Sequence, residues 1–482
     1  MNYRVVIHLI ALIIVILGIF MGLVTVISWL MNDPAHAWFG MLEAAGISIG
    51  IGGLMWFLTR GAIELSRREG IGVVVFGWFF GTLIGGLPFL TTGAMGNPFD
   101  AFFESASGFT TTGASVMTDL EHHARGILLW RACTHLIGGM GILVLVVAII
   151  PFLGVGGMQI FRAEVTGPSK DRLTPRITST AKLLWIVYIL LIVMNILLLR
   201  LGGMNWFDSV CHAFAAISTG GFSTRSSGIM YYDSAYIEAV LIVFMLLGGM
   251  NFALHYKALR GDLACYARDA ECRFYLGFWL LASLVIAANL IDENGLAVAS
   301  ALRQAMFYTA SLMTTTGFTT VDYNLWPALS KIILLVLFVC GGCAGSTAGA
   351  LKQIRLVILN KSMVRAVKSL LKPQAVYTVK INGQVISQDI LFNVLVFFFI
   401  YMGTLAAGSL VMSFFINDLT TTVSAVFSAV GNIGPGLGSV GPIYTYAGLP
   451  DGGKFTLSIL MLIGRLEFYT FLAVLMPSFW RK

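Results

Sequence analysis

Long apolar stretches recur along the whole chain, and each is about as long as a membrane span. A helix needs about 20 mostly apolar residues to cross the hydrocarbon core of a bilayer. Hydrophobic residues make up 57% of the sequence and charged residues 11%, whereas soluble domains average about 45–50% and about 25%. The stretches lie at 5–30, 38–58, 71–90, 127–152, 183–199, 236–252, 274–290, 332–358, 390–415 and 455–476. They predict an all-α polytopic membrane protein with roughly ten spans.

Basic residues are clustered between alternate stretches. The clusters lie at 60–68, 162–182, 257–273 and 361–380 and at the terminal Arg481 and Lys482. Basic loops are retained on the cytoplasmic side of a membrane, so both termini are predicted to be cytoplasmic. The net charge of +7 is then a signal of topology. We do not expect nucleic acid as a partner.

Four short segments share one pattern centred on a glycine, and we call them the glycine segments. They read SASGFTTTGAS at 105–115, AAISTGGFSTR at 215–225, SLMTTTGFTTV at 311–321 and SAVGNIGPGLG at 428–438. The residues before each segment are too few to span a bilayer and suit a re-entrant half-helix. Asp100 and Asp208 are the predicted N-caps of the first two half-helices, because an Asp side chain accepts from free amides. The other two are expected to begin near Arg303 and Thr421.

A second element follows each glycine segment. It reads IGGMG at 137–141, LGGMN at 247–251, CGGCA at 340–344 and IGRLE at 463–467. The repeated unit is therefore span, half-helix, glycine segment, span. Each unit crosses the bilayer twice, so the four units are parallel and fit a pseudo-fourfold arrangement around one pore. The predicted divisions are an extra N-terminal helical pair at 1–69 and pore repeats, called units 1 to 4, at 70–180, 181–273, 274–387 and 388–482.

The glycine segments have the chemistry of a filter for a monovalent cation. Glycine lets successive carbonyls face a common axis, and rings of carbonyl oxygens can replace the hydration shell of an ion. Carboxylates occur only at flanks such as Glu104 and Asp322, which disfavours calcium or magnesium. The predicted filter residues are Thr111, Thr112, Gly113, Thr219, Gly220, Gly221, Thr315, Thr316, Gly317, Asn432, Ile433 and Gly434. The alternative is that small residues merely allow close helix packing.

A glycine-rich run, GGCAGSTAGALK at 341–352, interrupts the last apolar stretch of unit 3. A helix with this sequence is predicted to break, and its place after the filter indicates a gate beneath it. Arg465 occupies the matching position of unit 4, where an intramembrane charge is costly and usually functional. The predicted gate residues are Gly341, Gly342, Gly345, Ser346, Thr347, Gly349, Lys352 and Arg465. Alternatively, Ser346 and Thr347 serve packing, and Arg465 pairs with Glu467 or with backbone carbonyls.

Other chemistry is weakly represented. The six cysteines have no disulfide spacing, and the Cys340/Cys343 pair lacks histidine partners for a metal. The glycines from Gly154 lack the strand and third glycine of a dinucleotide site. Arg131 and His135 are interpreted as a structural polar pair. The sequence predicts no enzyme and no organic cofactor.

Together these motifs resemble the Trk/Ktr superfamily of potassium transport subunits over essentially the whole chain. The motifs are TTTGAS at 110–115, TGGFST at 219–224, TTTGFTT at 314–320, NIGPGLG at 432–438, GVGGMQ from Gly154, GGCAGSTAGALK from Gly341 and GRLEFYT from Gly464. The resemblance implies potassium as the substrate, uptake across the bacterial inner membrane, a homodimer and a cytoplasmic nucleotide-binding regulatory subunit. It also implies potassium coordination at the filter residues, gating by the third-unit loop, and Arg465 below the filter. Ala348-Gly349-Ala350 replaces the family's run of glycines, which predicts a stiffer gate.

Two mechanisms stay open on the sequence. The leading hypothesis is a gated potassium-permeable pore with modest selectivity, and the alternative is a potassium symporter coupled to protons or sodium. The sequence offers no obvious buried carboxylate relay for protons. A regulatory subunit is expected to dock on basic loops such as 361–380, and membrane lipid surrounds the spans.

Overall fold

The computed structural model describes residues 2–61, 66–149 and 177–480. The motif from Gly154, most of the basic cluster at 162–182, and the terminal Arg481 and Lys482 lie outside the described residues.

The described chain is mostly helical, which confirms the predicted all-α class. Its α-helices are Tyr3–Leu30, Ala35–Leu58, Arg67–Gly85, Leu87–Thr91, Pro98–Phe109, Arg125–Ile149, Ile177–Leu201, Trp206–Ile217, Ala235–Gly248, Phe252–Leu259, Cys265–Arg268, Ala270–Asn294, Val298–Met313, Ala328–Cys340, Gln353–Leu371, Gln388–Met412, Leu419–Gly431, Asp451–Arg465, Tyr469–Leu475 and Pro477–Trp480. Strands Lys380–Ile381 and Gln384–Val385 form one antiparallel hairpin, with Lys380 opposite Val385.

Within the described ranges, six helices are long and apolar enough to cross a membrane, and up to eight spans result if two bent helix pairs are counted. Ala235–Gly248 and Phe252–Leu259 meet at 103°, and Asp451–Arg465 and Tyr469–Leu475 meet at 113°. The sequence predicted the second pair as one continuous stretch at 455–476, whereas the stretch predicted at 236–252 ends where Phe252–Leu259 begins. Both bends fall in the second repeated element, where the chain leaves the helical conformation. Glu467 and Phe468 there adopt φ values of 54° and 54°.

Four half-helices end just before the aligned glycines. They are Pro98–Phe109, Trp206–Ile217, Val298–Met313 and Leu419–Gly431. The prediction that Asp100 and Asp208 are the N-caps is wrong. Asn97 caps the first half-helix by accepting from Phe99 N at 3.0 Å, and Asn205 caps the second by accepting from Asp208 N at 2.8 Å.

Asp100 and Asp208 lie instead in the first turn of their half-helices, where a negative charge complements the helix dipole. Each forms an ion pair with a residue further along the chain. Lys454 Nζ lies 2.6 Å from Asp100 Oδ1, and Arg225 Nη2 lies 3.0 Å from Asp208 Oδ2. The two carboxylates therefore attach the half-helices to neighbouring segments.

Two large apolar clusters hold the helices together. One is built mainly from units 2 and 3, and the other from the N-terminal helices with units 1 and 4. Tyr3–Leu30 and Ala35–Leu58 approach closely through small residues, since a Cβ on Gly52 would lie 2.8 Å from Val15. Ile433 belongs to the first cluster and Val430 to the second, so the fourth glycine segment touches both.

Candidate functional site

The four aligned glycines meet in one closed ring, and we call Gly113, Gly221, Gly317 and Gly434 the ring glycines. A Cβ added to any of the first three would overlap a carbonyl oxygen of the next unit, and one on Gly434 would lie 2.7 Å from such an oxygen. These oxygens belong to Gly220, Thr316, Ile433 and Thr112, in the order of the four glycines. Each unit therefore contacts the next, and unit 4 returns to unit 1. The glycine segments converge as predicted from their pattern.

The backbone conformation repeats in all four segments. Two residues before the ring glycine, Thr111, Thr219, Thr315 and Asn432 have φ values of 53°, 56°, 58° and 55°. The ring glycines have φ values of 83°, 82°, 81° and 109°. Left-handed φ is uncommon for residues other than glycine. Its recurrence in four units indicates a geometry that the surrounding structure imposes.

The residue before each ring glycine is tied to its own half-helix. Its N–H donates to a half-helix carbonyl: Thr112 to Ser107 at 2.8 Å, Gly220 to Ala215 at 2.7 Å, Thr316 to Ser311 at 2.8 Å and Ile433 to Ser428 at 2.9 Å. The half-helices thus hold the segments at one depth.

Four carbonyl oxygens in the ring have no hydrogen-bond partner among the described residues. Thr112, Gly220, Thr316 and Ile433 are buried, yet their carbonyl oxygens accept no hydrogen bond from the described residues. Buried carbonyls nearly always have a partner, so these four suit a ligand supplied from outside the protein. Gly434 differs, because its carbonyl oxygen accepts from Ser428 Oγ at 2.7 Å and from Tyr446 OH at 2.8 Å.

Polar side chains of the half-helices accept hydrogen bonds from the residues that follow the ring glycines. Glu104 accepts from Ser115 Oγ and Val116 N, both at 2.9 Å. The Tyr308 hydroxyl accepts from Thr320 N at 2.9 Å, and Ser424 Oγ accepts from Leu437 N at 2.8 Å. Sequence reasoning treated Glu104 as a distant flank and missed these contacts. Glu104 and Tyr308 share the same offset from their ring glycines, which was an available signal.

A cavity of about 280 Å³ opens on one side of the ring. All four ring glycines line it, together with Ser115, Arg131, Arg225 and Tyr446. Arg131 pairs with Glu104, whose Oε1 lies 2.7 Å from Arg131 Nε. The hydrogen bonds of Arg131 do not include His135, so the predicted polar pair is not formed. The His135 ring packs against the Phe222 ring instead, with the two centroids 4.2 Å apart.

The 341–352 segment crosses the other side of the ring, between the helices Ala328–Cys340 and Gln353–Leu371. Thr347 Oγ1 donates to Ile217 O at 2.9 Å, and Gly349 N donates to Thr315 Oγ1 at 2.9 Å. A Cβ on Gly349 would overlap Gly431 O. The segment therefore touches the half-helix ends of units 2, 3 and 4.

The other predicted gate residues lie in the same buried layer. A Cβ on Gly342 would lie 2.7 Å from Gly249 O, and Gly345 O accepts from Phe252 N at 3.0 Å. Ser346 Oγ donates to Cys343 O at 2.5 Å, which closes a local turn. Gly341 has a φ of 71° at the point where the preceding helix ends.

Arg465 joins the 341–352 segment to unit 1. Its Nη1 donates to Thr347 O at 2.8 Å and its Nη2 to Gly138 O at 3.3 Å. The side chain is only 1% exposed. Of the two alternatives for Arg465, the structure has the contact with backbone carbonyls and not the pairing with Glu467.

Glu467 pairs instead with two cations at the end of the 341–352 segment. Lys352 Nζ lies 2.6 Å from Glu467 Oε1, and Arg355 Nη2 lies 2.9 Å from Glu467 Oε2. Lys352 has a φ of 70° and is buried. The residue at the bend after Asp451–Arg465 is thus paired with both sides of the point where the helix Gln353–Leu371 begins.

Glu271 was missed by sequence reasoning. Its Oε1 accepts from Ala344 N at 2.7 Å and from Ile354 N at 3.0 Å, so one oxygen joins the 341–352 segment to the first turn of the helix that follows it. The carboxylate comes from the start of the helix Ala270–Asn294, far away in sequence. No local pattern signals such a contact.

The described residues contain no group of three or more His, Cys, Asp or Glu side chains that could hold a metal ion. The ring therefore offers backbone oxygens, and the layer beneath it offers backbone groups, hydroxyls and a guanidinium.

Comparison with known proteins gives full-length matches. A family model described as "TrkH: Cation transport protein" matches residues 39–481. The Trk system potassium uptake protein TrkH of Halomonas elongata is 38% identical over 494 residues, and TrkH of Escherichia coli K12 is 38% identical over 490 residues; each match covers 100% of both chains. The crystal structure of the potassium transporter TrkH from Vibrio parahaemolyticus superposes with a TM-score of 0.91 at 34% identity, covering 100% of both chains.

Gly221→Ala is expected to destabilise the protein, because the new Cβ would overlap Thr316 O and φ at this position is 82°. The left-handed backbone and the overlap together should cost more than about 2 kcal/mol. The measurement is the temperature at which the purified protein loses its monodisperse size-exclusion peak. Gly277→Ala is the control, since nothing lies within 4 Å of its added Cβ. Equal melting of the two variants would contradict the ring geometry.

Proposed function

Because the chain belongs to the TrkH family of cation transport proteins, we propose that it takes up potassium across a bacterial inner membrane through the ring of four glycine segments. A transport role, and not an enzymatic one, agrees with the names of its relatives. The proposal is supported by the four buried carbonyl oxygens around one closed ring, which accept no hydrogen bond from any described residue.

The proposed filter spans residues 111–113, 219–221, 315–317 and 432–434. A dehydrated potassium ion needs oxygen ligands in place of its lost water, and uncharged carbonyls supply them. The carboxyl ends of the four half-helices face the ring, and their partial negative charges favour a cation. Gly434 lies in the ring like the other three glycines, but its carbonyl oxygen already accepts hydrogen bonds from two hydroxyls.

The proposed gate is the 341–352 segment with Arg465. The segment lies directly under the ring, and a guanidinium close to the path of a cation raises the energy of an ion there. Opening requires the segment to leave Thr315, Arg465 and Glu271. Lys352 belongs to this gate through its ion pair with Glu467, which holds the cytoplasmic end of the segment.

A gated pore is favoured over a symporter by the bonding of two buried carboxylates, one beside the glycine ring and one beside the 341–352 segment. Glu104 is bound to Arg131, Ser115 and Val116, and Glu271 is bound to two backbone amides. A proton relay needs carboxylates that can gain and lose a proton, and these two are held as hydrogen-bond acceptors. Measurement of the reversal potential separates the two mechanisms, because coupling displaces it from the potassium equilibrium potential.

The proposal extends to topology and partners. Both termini are placed in the cytoplasm by the positive-inside rule, and the homodimer rests on the family resemblance. A separate nucleotide-binding regulatory subunit is proposed to dock on the basic region 361–380. A groove there is lined by Lys361, Arg365, Lys368 and Lys380. Nucleotide regulation then acts from outside this chain.

Gly113→Ser is expected to abolish uptake, because the side chain would enter the space of Gly220 O. The test is growth at low potassium of a bacterium that lacks its own potassium uptake and retains the regulatory subunit. Wild type should rescue growth and Gly113→Ser should not. Gly46→Ser is the matched control, since its added Cβ has nothing within 4 Å. Wild-type growth of the Gly113→Ser strain would reject the ring as the filter.

Glu271→Gln is expected to raise potassium flux through liposomes that contain the protein without its regulatory subunit. Bonds to a charged acceptor are worth about 1 kcal/mol more than neutral ones, so the ratio of closed to open states should fall roughly fivefold. Glu293→Gln removes an exposed charge from the same helix and should leave the flux unchanged. Equal flux from the two variants would show that Glu271 does not hold the gate.

A further inference from the structure

A second ring of hydrogen bonds lies one layer beyond the ring glycines. In every unit the carbonyl oxygen two residues after the ring glycine accepts a hydrogen bond from the preceding unit. Ser223 O accepts from Arg131 Nη1 at 3.0 Å, Thr319 O from Ile229 N at 3.1 Å, Gly436 O from Tyr323 OH at 2.6 Å and Ser115 O from Tyr446 N at 2.8 Å. Unit 1 donates to unit 2, 2 to 3, 3 to 4, and 4 to 1. The second ring is therefore closed.

The Arg131 donor is held rigidly. Its Nε bonds Glu104 Oε1 at 2.7 Å, and its Nη2 donates to Ser115 Oγ at 3.1 Å. The guanidinium carbon lies 4.0 Å from the centroid of the Phe222 ring. The side chain is 2% exposed, and the Glu104 charge beside it keeps the site neutral. Arg131 thus joins the glycine segments of units 1 and 2 through one planar fork.

The Tyr323 donor is equally fixed. Its side chain is fully buried, and its ring lies 5.1 Å from that of Tyr308 and 6.3 Å from that of Trp326. The hydroxyl reaches across to unit 4, where it donates to Gly436 O. Removal of the hydroxyl would therefore leave the packing of the ring in place.

A closed ring of bonds limits how far the four segments can move apart or together. Discrimination between potassium and the smaller sodium ion depends on how firmly the carbonyl ligands are held at their spacing and number. Two of the four donors are backbone amides, which a substitution does not remove. The other two are the side chains of Arg131 and Tyr323.

We propose that Arg131 and Tyr323 are positioning residues that set the potassium-over-sodium discrimination of the pathway. They touch no ion and act by fixing the spacing of neighbouring glycine segments. This inference rests on the proposed function, because it assumes that ions pass through the glycine ring.

The test compares the potassium-to-sodium uptake ratio of Tyr323→Phe with that of the control variant Tyr401→Phe. Tyr401 is also buried, and its hydroxyl has no hydrogen-bond partner among the described residues, so Tyr401→Phe deletes a hydroxyl without breaking a bond. Potassium and sodium uptake are measured in the same liposome preparations, so the amount of protein cancels in their ratio. Loss of one hydrogen bond should lower the potassium-to-sodium ratio about two- to tenfold in Tyr323→Phe. Tyr401→Phe should keep the wild-type ratio.

Arg131→Lys provides a second, independent arm, because an ammonium lacks the fork that reaches both Glu104 and Ser223. Its ratio should fall in the same direction. A wild-type ratio in either folded variant would overturn the inference while leaving the proposed function intact. Absence of potassium uptake by the wild type would overturn both together.

Discussion

The contact between each ring glycine and a carbonyl oxygen of the next unit is the constraint on which the other layers of the structure depend. A side chain at any of the four positions would compete with that oxygen for space. Four units can therefore close on one another only if each brings a glycine to the same depth. Each half-helix ends just before its ring glycine. In units 1, 3 and 4, half-helix side chains accept hydrogen bonds from the residues that follow the ring glycine.

The layer beneath the ring depends on the same closure. The ring brings the ends of the half-helices close together, and the 341–352 segment contacts three of these ends. Arg465 adds a hydrogen bond to Gly138 of unit 1. A segment of backbone that is not helical is tolerated at membrane depth when protein groups satisfy it. Here Glu271, Thr315 and Arg465 do so. The glycine ring and the 341–352 segment are thus joined in one connected set of hydrogen bonds.

Much of this architecture could be predicted from the sequence, because hydropathy reveals spans and a repeated glycine reveals units. The bend after Arg465 was missed, because the stretch at 455–476 is mostly apolar on both sides of it. The N-caps were assigned to Asp100 and Asp208 because Asn and Asp favour the same position. Glu271 and Tyr323 were missed for another reason: their partners lie far away in sequence, and neither periodicity nor spacing encodes such pairs.

The second ring is built from unlike parts, with amide donors from units 2 and 4 and side-chain donors from units 1 and 3. In an assembly of four identical chains, any substitution would alter all four corners of such a ring at once. In this single chain one substitution alters one corner and leaves three unchanged. A substitution can therefore change the second ring at the two corners whose donors are side chains, while the two amide corners keep their bonds.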